Sequence, residues 1–336
     1  MTAPRPLRLA TYNVEWFNAL FDDQGRLYED TQPSARYGIS RADQLTALGI
    51  VFTAMDADGV MVIEAPDTNS RRKSTRALER FAAHFGLRTS RAVTGFASET
   101  EQEISFLYDP ARLTARHDPK GEPRFDGTFR LDLDGDGIAE PIHPSKPPLE
   151  LAVRAGGRDL RLIGVHVKSK APHGARNPDE ARRIAIENRR KQLAECIWLR
   201  QRVIAHLEAG DDLLVMGDFN DGPGIDEFEK LFGHSGVEVV MGVTCPADQR
   251  LFDPHAQMAL ESRLQPTTAR FYNQEHARYF EALLDFIMVT PRLAARHPHW
   301  RIWHPLNDPA CWGTPELRDA LLAASDHFPV TVDLAL

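Results

Sequence analysis

Leu213-Leu-Val-Met-Gly-Asp-Phe-Asn-Asp221 is the stretch on which an interpretation of the whole chain can be built. Its first four residues are apolar and predict a short buried strand. Gly217 then permits a sharp exit, and Asp218 and Asn220 lie two residues apart, so an extended backbone directs both side chains to the same side. A carboxylate can accept a proton from water while a carboxamide holds the nucleophile or the scissile group. A polar turn in which Asp218 caps the next helix is the alternative.

Polar side chains end other apolar segments of the chain in the same way. The residues at these ends are Asn13 and Glu15, Glu64, His166 and Lys168, Asp218 and Asn220, Asp285, and Asp326 and His327. A single polar residue at a strand end is common, and a lone histidine on a strand is more often structural than catalytic. Repetition along the chain indicates that the strand ends converge on one face.

Oxygen-bearing side chains at these ends suit a metal ion. Asn13 and Glu15 offer the oxygen ligands that a hard cation prefers, although strand-end polarity is common without one. Glu64 directly follows the apolar residues Val60 to Ile63, where an unpaired carboxylate would be costly in the core. A metal ligand at a sheet edge is therefore the more natural interpretation of Glu64.

The composition of the 336 residues limits the classes of protein that fit. A hydrophobic content of 42% supports a sizeable core, and large α/β layers reach this length as one unit. The net charge of -8 argues against a protein held on nucleic acid by bulk charge, but a nuclease with a local basic face remains compatible with it. Three scattered cysteines predict neither a disulfide framework nor a structural zinc site.

Neither a signal peptide nor a membrane-spanning segment is indicated by the sequence. The N-terminal residues lead directly into a predicted strand, and the longest mostly apolar window, about Leu45 to Met55, is too short to span a bilayer. We therefore expect a cytoplasmic protein that does not associate with membranes. A monomer is compatible with the sequence, which leaves the oligomeric state open.

Periodicity predicts the main helices and strands. Helices are expected over Arg41–Met55, Asp179–Leu207 and Phe228–Phe232. Strands are expected at Leu7–Asn13, Val60–Ile63, Glu103–Tyr108, Leu149–Val153, Leu160–Val167, Leu213–Met216, Leu283–Val289 and Val330–Leu334. Irregular surface loops are expected near residues 18–40, 115–148 and 241–281. Without repeats or a linker, residues 1–336 are predicted to form a single domain.

Two further groups of residues could contact a nucleic acid. Asn69 or Ser70 is expected to cap a helix on which Arg72, Arg76 and Arg80 form one stripe. Such stripes are usually solvated, but near a phosphoryl site this one would be a basic ridge. A second group, in which aromatic packing is the alternative to base stacking, consists of Arg270, Phe271, Tyr272, Arg278, Tyr279 and Phe280.

A short acidic segment resembles a calcium-binding loop. Asp132, Asp134 and Asp136, followed by Gly137, match the opening of such a loop. His143 stands where the bidentate glutamate would be expected, so an Asp/Gly hairpin turn is the favoured alternative to a structural Ca²⁺ site.

The order of these motifs resembles the endonuclease/exonuclease/phosphatase superfamily over nearly the whole chain. The superfamily includes pancreatic-type deoxyribonucleases, abasic-site endonucleases, inositol-phosphate phosphatases and neutral sphingomyelinases. The specific motifs are Gly-Asp-Phe-Asn at 217–220 and Ser-Asp-His-Phe-Pro at 325–329, with Thr-Tyr-Asn-Val at 11–14, His-Val-Lys-Ser at 166–169 and Leu-Asp-Phe-Ile-Met-Val at 284–289. The resemblance implies an α/β (α+β) fold: a four-layer sandwich of two mainly antiparallel sheets flanked by helices. It also implies hydrolysis of phosphate esters with a divalent metal, Mg²⁺ or Mn²⁺.

The resemblance also implies roles for individual residues. Glu64 would be the principal metal ligand, helped by Asn13 and Asp326, and Asp218 would orient or deprotonate the attacking water. Asn220 would hold the nucleophile and phosphate.

Two histidines complete the implied site. His327 would donate to a non-bridging oxygen, with Asp285 fixing its orientation and raising its pKa. His166 matches a second histidine of the deoxyribonuclease and sphingomyelinase branches, and Glu103 stands where its carboxylate partner is expected. The family often has Gln before the metal-binding Glu, but here Ile63 precedes Glu64, which weakens any subfamily assignment.

Three functions compete on this evidence. A nuclease or related phosphodiesterase acting on DNA or RNA leads, with Arg72, Arg76 and Lys168 as candidate substrate-binding residues beside Asn13. A phosphatase or phosphodiesterase acting on a small molecule or lipid headgroup is favoured by the acidic net charge. A catalytically silent binding module is disfavoured because both matched histidines and the principal carboxylates are present.

Overall fold

A computed structural model describes residues 5–98, 100–133, 135, 137–172, 174–223, 233–262, 265–273 and 277–336. The strands are β1 (Leu7–Asn13), β2 (Gly59–Ala65), β3 (Arg91–Thr94), β4 (Glu103–Tyr108), β5 (Leu113–His117), β6 (Phe129–Leu131), β7 (Glu140–Ile142), β8 (Leu149–Ala155), β9 (Arg158–His166), β10 (Leu213–Asp218), β11 (Ala269–Asn273), β12 (Arg278–Ala282), β13 (Asp285–Val289), β14 (His299–Ile302) and β15 (Val330–Leu334).

The helices of the described residues lie between these strands. They are α1 (Arg41–Met55), α2 (Ser74–His84), α3 (Pro178–Glu208), α4 (Gly236–Met241), α5 (Pro254–Glu261), α6 (Pro291–Ala294), α7 (Pro309–Trp312) and α8 (Pro315–Ala324). Short 3-10 turns occupy Phe17–Leu20 and Ala247–Gln249. None of these helices combines the length and apolar character needed to cross a membrane.

Most strands belong to two large, mainly antiparallel sheets. The six-stranded sheet has the order β14-β15-β1-β2-β4-β3, and the five-stranded sheet has the order β13-β10-β9-β8-β5. Parallel pairing occurs between β1 and β2 and between β9 and β10. Two smaller hairpins, β6-β7 and β11-β12, stand apart from these sheets.

The period of two residues along each strand explains how the layers assemble. On β1, Leu7 and Leu9 face a core between the sheets, where they join Leu214 and Met216 of β10. Tyr12 belongs instead to the core under α1, α2 and α8, and residues of α3, α4 and α5 cover the outer face of the five-stranded sheet. The predicted four-layer sandwich is therefore confirmed.

Regular segments match their predictions better than the loops do. The predicted bounds of β1, β4, β15 and α1 agree with the structure. The prediction of an irregular segment at 241–281 was wrong, because it contains α5 and the hairpin β11-β12. The predicted helix Phe228–Phe232 lies outside the described residues.

The predicted three-arginine stripe is also wrong. Helix α2 begins at Ser74 without a side-chain cap, and Asn69 instead accepts from the backbone N–H groups of Arg71 and Arg72 in the preceding turn. Arg72 therefore precedes the helix. Its buried guanidinium pairs with Asp67 and donates to two carbonyl groups of the Phe17–Leu20 region, those of Asn18 and Phe21.

The acidic segment after β6 forms the connection of the β6-β7 hairpin. The carboxylate of Asp132 accepts from the backbone N–H groups of Gly135 and Gly137 at 2.7 and 2.9 Å. Asp134 and Asp136 lie outside the described residues. These contacts agree with the Asp/Gly hairpin turn, and calcium binding stays a prediction.

Candidate active site

Strand register places three of the predicted residues side by side. Asp218, the last residue of β10, lies opposite His166 of β9 and opposite Asp285 of β13. Asn13 ends β1 in the other large sheet, and its Nδ2 donates to Asp218 Oδ2 at 3.0 Å. The site therefore forms where the ends of strands from the two sheets come together.

Asp218 is buried and held by several donors. Its Oδ1 accepts from the backbone N–H of Asn220 at 2.7 Å, and its Oδ2 accepts from Asn220 Nδ2 at 3.3 Å as well as from Asn13. Burial raises the pKa of Asp218 to about 6, while the charge of His327 and the bonds from Asn220 and Asn13 oppose that rise. A carboxylate with such a pKa is suited to accept a proton near neutral pH.

Gly217 allows β10 to lie close against β9. A Cβ atom at this position would come within 2.0 Å of the backbone oxygen of Val165, and the φ angle of +145° disfavours other residues. Glycine is therefore required directly before Asp218 for β10 to keep its register with His166.

His327 and Asp285 form a hydrogen-bonded pair. Asp285 Oδ2 accepts from His327 Nδ1 at 2.8 Å and from the hydroxyl of Thr268 at 2.8 Å. That hydroxyl in turn accepts from the backbone N–H of Asp285. Thr268, which sequence reasoning missed, thus holds the carboxylate that orients the imidazole.

The charge on His327 follows from its neighbours. Burial alone would lower the pKa of His327, but the carboxylates of Asp285 and Asp218 raise it well above its ordinary value. Its Nε2 lies 3.9 Å from Asp218 Oδ2. The raised pKa favours the imidazolium form of His327, which can donate a hydrogen bond from Nε2.

Glu64 stands at a backbone irregularity of β2. The register with β4 shifts between Ile63 and Ala65, and Glu64 has a left-handed φ of 61°. That conformation costs a residue with a Cβ about 1 to 2 kcal/mol. Its carboxylate accepts from the backbone N–H of Trp16 at 2.8 Å and lies 3.4 Å from Asn13 Nδ2. Strain of this kind clusters at functional sites.

Glu15 and Asp326 share an edge of the site with an arginine from the first surface loop. The carboxylate of Glu15 pairs with Arg36 and accepts from the backbone N–H of Asp326 at 3.0 Å. Burial raises the pKa of Asp326 to about 7, and the charges of Glu15 and Glu64 act in the same direction. Glu15 would have to exchange Arg36 for a cation in order to act as a metal ligand.

His166 has a different partner from the one predicted. Glu103 accepts from the backbone N–H groups of Thr68 and Ser98, and burial raises its pKa to about 7. His166 Nδ1 has no hydrogen-bond partner among the described residues, and its Nε2 lies 3.0 Å from Lys146 Nζ. The prediction that Glu103 pairs with His166 was therefore wrong.

The long helix α3 fixes the loops that follow β9 and β10. The buried Gln192 donates from Nε2 to the carbonyl groups of Lys168 and Asn220 at 3.1 and 3.0 Å. Arg189, also fully buried, donates to Gln192 Oε1 and to the carboxylate of Asp221. Sequence reasoning missed both residues because Gln192 and Arg189 resemble ordinary polar positions of a long helix.

The predicted substrate-binding residues lie in different environments. Lys168 directly follows β9 and is partly buried, with its backbone N–H donating to Glu195 at 2.9 Å. Arg76 is exposed on α2, whereas Arg72 is buried in its ion pair with Asp67. Only Arg76 of these two arginines offers its guanidinium to solvent.

The donor set fits a hard divalent cation. Asp218, Asp285 and His327 each offer an atom within 4.8 Å of the others, and one hydrogen bond already joins His327 to Asp285. Burial is the main cause of the raised pKa values of Asp218 and Asp326, and neighbouring carboxylates, among them Glu64 beside Asp326, add to it. A divalent cation bound to such oxygen atoms would offset the repulsion between these carboxylates.

The fold and the site together define a class of enzyme. The fold is a four-layer sandwich, and carboxylates and a histidine meet where strand ends of its two sheets come together. The chain belongs to the Endonuclease/Exonuclease/phosphatase family, whose model matches residues 10–327. Members of this family are hydrolytic phosphoesterases that generally use divalent metal ions. The predicted family membership is thereby confirmed.

Solved structures with the same fold are distant in sequence. Truncated TDP2 from Caenorhabditis elegans has a TM-score of 0.53 and 11% identity, with 100% of both chains covered. A 3′ phosphatase from Neisseria, bound to a product DNA hairpin, has a TM-score of 0.51 and 15% identity over 98% of this chain and 100% of that one. TDP2 from D. rerio, complexed with a single-strand DNA product, has a TM-score of 0.50 and 13% identity, covering 98% and 99%. A comparison with curated proteins found no match.

Proposed function

We propose that the chain is a divalent-metal-dependent nuclease or related phosphodiesterase in which Asp218 activates the attacking water. One observation carries this proposal. The buried carboxylate of Asp218 is held by Asn13 from one sheet and by Asn220 from its own loop, 3.9 Å from His327 Nε2. A proton acceptor and a charged donor thus lie next to each other, and the phosphate would react in the space beside this pair.

Each residue around that space has a distinct role in the proposal. Asp218 accepts the proton of the water, and Asn220 helps to position the water and the phosphate. His327 donates from Nε2 to a non-bridging oxygen as negative charge develops, while Asp285 holds the ring in orientation through Nδ1.

Glu64, Asn13 and Asp326 would hold the cation, Mg²⁺ or Mn²⁺, with Glu15 available if Arg36 releases it. When bound, the ion supplies Lewis-acid polarisation of the phosphate and a template for its orientation. The protein's part is to hold the carboxylates together, partly shielded from water, at the ends of the strands.

An aromatic hairpin beside His327 supports a nucleic acid as the substrate. Phe271 of β11 packs edge-on against His327, with ring centroids 5.5 Å apart. Tyr272, Tyr279 and Phe280 of the same hairpin are each about half exposed, and Arg270 stacks on the Tyr279 ring at 3.4 Å. Exposed aromatic rings and a stacked arginine beside a phosphoryl site suit unpaired bases. Two solved structures of similar fold, TDP2 from D. rerio and the 3′ phosphatase from Neisseria, contain DNA products.

A phosphatase or phosphodiesterase acting on a small molecule is the second candidate. The net charge of -8 and the burial of Arg72 both favour it, because a chain with little basic surface attracts an extended polyanion weakly.

A panel of substrates separates the two candidates. Supercoiled plasmid, single-stranded DNA, RNA and phosphomonoesters would be tested with Mg²⁺ or Mn²⁺, and EDTA should abolish turnover. Glu64→Gln should weaken Mn²⁺ binding in a direct titration without lowering the melting temperature. Full activity in EDTA would refute the metal requirement, and a normal titration would remove Glu64 from its role.

A further inference from the structure

The side chain of Lys146 brings a positive charge into the candidate active site, and the proposed function gives this residue no role. It lies between β7 and β8, in a segment outside every motif that relates this chain to the family. Its Nζ is 3.0 Å from His166 Nε2. That nitrogen is in turn 3.7 Å from Asp218 Oδ2 and 3.9 Å from Glu64 Oε1.

The partner of Lys146 is unusual for a lysine in such a place. A partly buried ammonium such as that of Lys146 ordinarily pairs with a carboxylate. Burial and the charge of Lys146 lower the pKa of His166 well below its ordinary value, so the imidazole is neutral and accepts at Nε2. This is the one hydrogen bond of Lys146 Nζ within the described part of the chain, and two of its three N–H groups remain for another acceptor.

The carboxylates near Lys146 do not accept hydrogen bonds from its two remaining N–H groups in the described part of the chain. Glu195 of α3 comes near, but its carboxylate accepts from the backbone N–H of Lys168. The charges of Glu64 and Asp218 attract Lys146 without an ion pair at 4.0 Å or less in the described residues. A lysine held only for stability would be expected to contact one of these carboxylates directly.

The order of the strands puts Lys146 opposite His327. In the sequence of neighbours β13-β10-β9, Asp218 lies in the middle, with Asp285 and its partner His327 on one side. His166 and Lys146 lie on the other. We propose that Lys146 binds a non-bridging oxygen of the scissile phosphate from the side opposite His327. This inference rests on the proposed function and adds a catalytic residue to it.

Inorganic phosphate is the probe for this site. Its dissociation constant would be measured by calorimetry, with Mg²⁺ present, for the wild type, Lys146→Met and Lys146→Gln. Both variants should bind phosphate about 10- to 100-fold more weakly, as expected for loss of a bond to a charged group. Lys146→Arg should recover part of the affinity because it keeps the charge.

A matched control comes from the same surface segment. Lys120 lies in the segment 115–148, its side chain is 56% exposed, and it pairs with Asp118. Lys120→Met should leave phosphate affinity unchanged. Melting temperatures of both Lys146 variants should hold or rise, because each removes a partly buried charge that pairs with no carboxylate among the described residues. If Lys146→Met does not fold, Lys146→Gln decides the result.

Two results would overturn the role of Lys146. One is an unchanged phosphate affinity in a folded variant. The other is tighter Mn²⁺ binding with unchanged phosphate affinity, which would make Lys146 a counter-charge for the carboxylates. Failure of the wild type to hydrolyse any ester of the panel would instead overturn the proposed function itself. Equal turnover and equal phosphate affinity in wild type and variants would overturn only the inference about Lys146.

Discussion

At the scale of single residues, Asp218 offers the sharpest separation between chemistry and structure. Asp218→Asn keeps the shape of the side chain but cannot accept a proton from water. We expect kcat to fall by about 10³ or more with KM little changed. Thermal stability should hold or rise, since a crowded carboxylate is removed. Turnover and melting would be measured on one preparation. A variant that melts early yet still hydrolyses would make Asp218 a capping residue.

His327 and Asp285 should behave as one unit. They share a 2.8 Å hydrogen bond, and His327 depends on that carboxylate for its orientation and charge. Alanine at either position should lower kcat by about 10² or more, and the double variant should lose little beyond the worse single one. Steady-state kinetics of the wild type, the two single variants and the double variant form a double-mutant cycle. Strictly additive losses in activation free energy would show that the two residues act independently.

The contacts at Asp218 show which parts of the site the sequence could predict. Asn13, Glu64 and Asn220 end apolar strands, so local patterning placed them beside Asp218. Lys146 and Thr268 lie outside such strands. Their positions depend on how distant segments pack, which no local pattern records.

At the scale of elements, substitution of an arginine in the turn before α2 should affect stability more than substitution of an arginine on α2 itself. Arg72→Ala would leave Asp67 as an uncompensated buried charge and free two carbonyl groups. We expect a loss of about 3 to 5 kcal/mol in the free energy of unfolding. Arg76→Ala, an exposed position on α2, should change it by less than about 0.5 kcal/mol. Urea denaturation measures both. Similar values for the two variants would contradict the structural role assigned to Arg72.

Strand prediction succeeded where burial dominates, including the buried edge strand β13, and failed at short edge strands of mixed polarity. Segments such as β2 and β10 are buried on both faces and show as unbroken apolar runs. The strands β3, β5 and β14 are short edge strands of mixed polarity, and no strand was predicted for them. They take extended form because a neighbour supplies hydrogen bonds, which is information that lies outside their own sequence.

At the scale of the whole molecule, a buried carboxyl group ties stability to pH. Burial raises the pKa of Glu195, on α3, to about 7, above the value of about 4 expected in the unfolded chain. The neutral carboxyl group of Glu195 therefore contributes fully to the free energy of unfolding below about pH 4, and this contribution is lost as the pH rises through about 7. Glu195→Gln should be more stable than the wild type by about 1 to 3 kcal/mol at pH 8.

The two proteins should differ least near pH 4, because the neutral carboxyl and the amide are then alike in charge. Denaturation curves in EDTA across this range measure the difference. Glu208→Gln, at the exposed end of the same helix, controls for the substitution itself and should follow the wild type. A difference that stays constant with pH would refute the linkage.

The hydrogen bond from Asn13 to Asp218 has a consequence for the timing of activity during protein synthesis. Residue 13 leaves the ribosome before residue 218, and His327 leaves later still. The strand β1 also waits for β15, its antiparallel neighbour, which is translated after all the other described strands. A nascent chain that has passed residue 218 but not residue 327 therefore holds Asp218 without His327. In the proposed mechanism such a chain is inactive on the ribosome, and a nonsense mutation between codons 218 and 327 should also yield an inactive product.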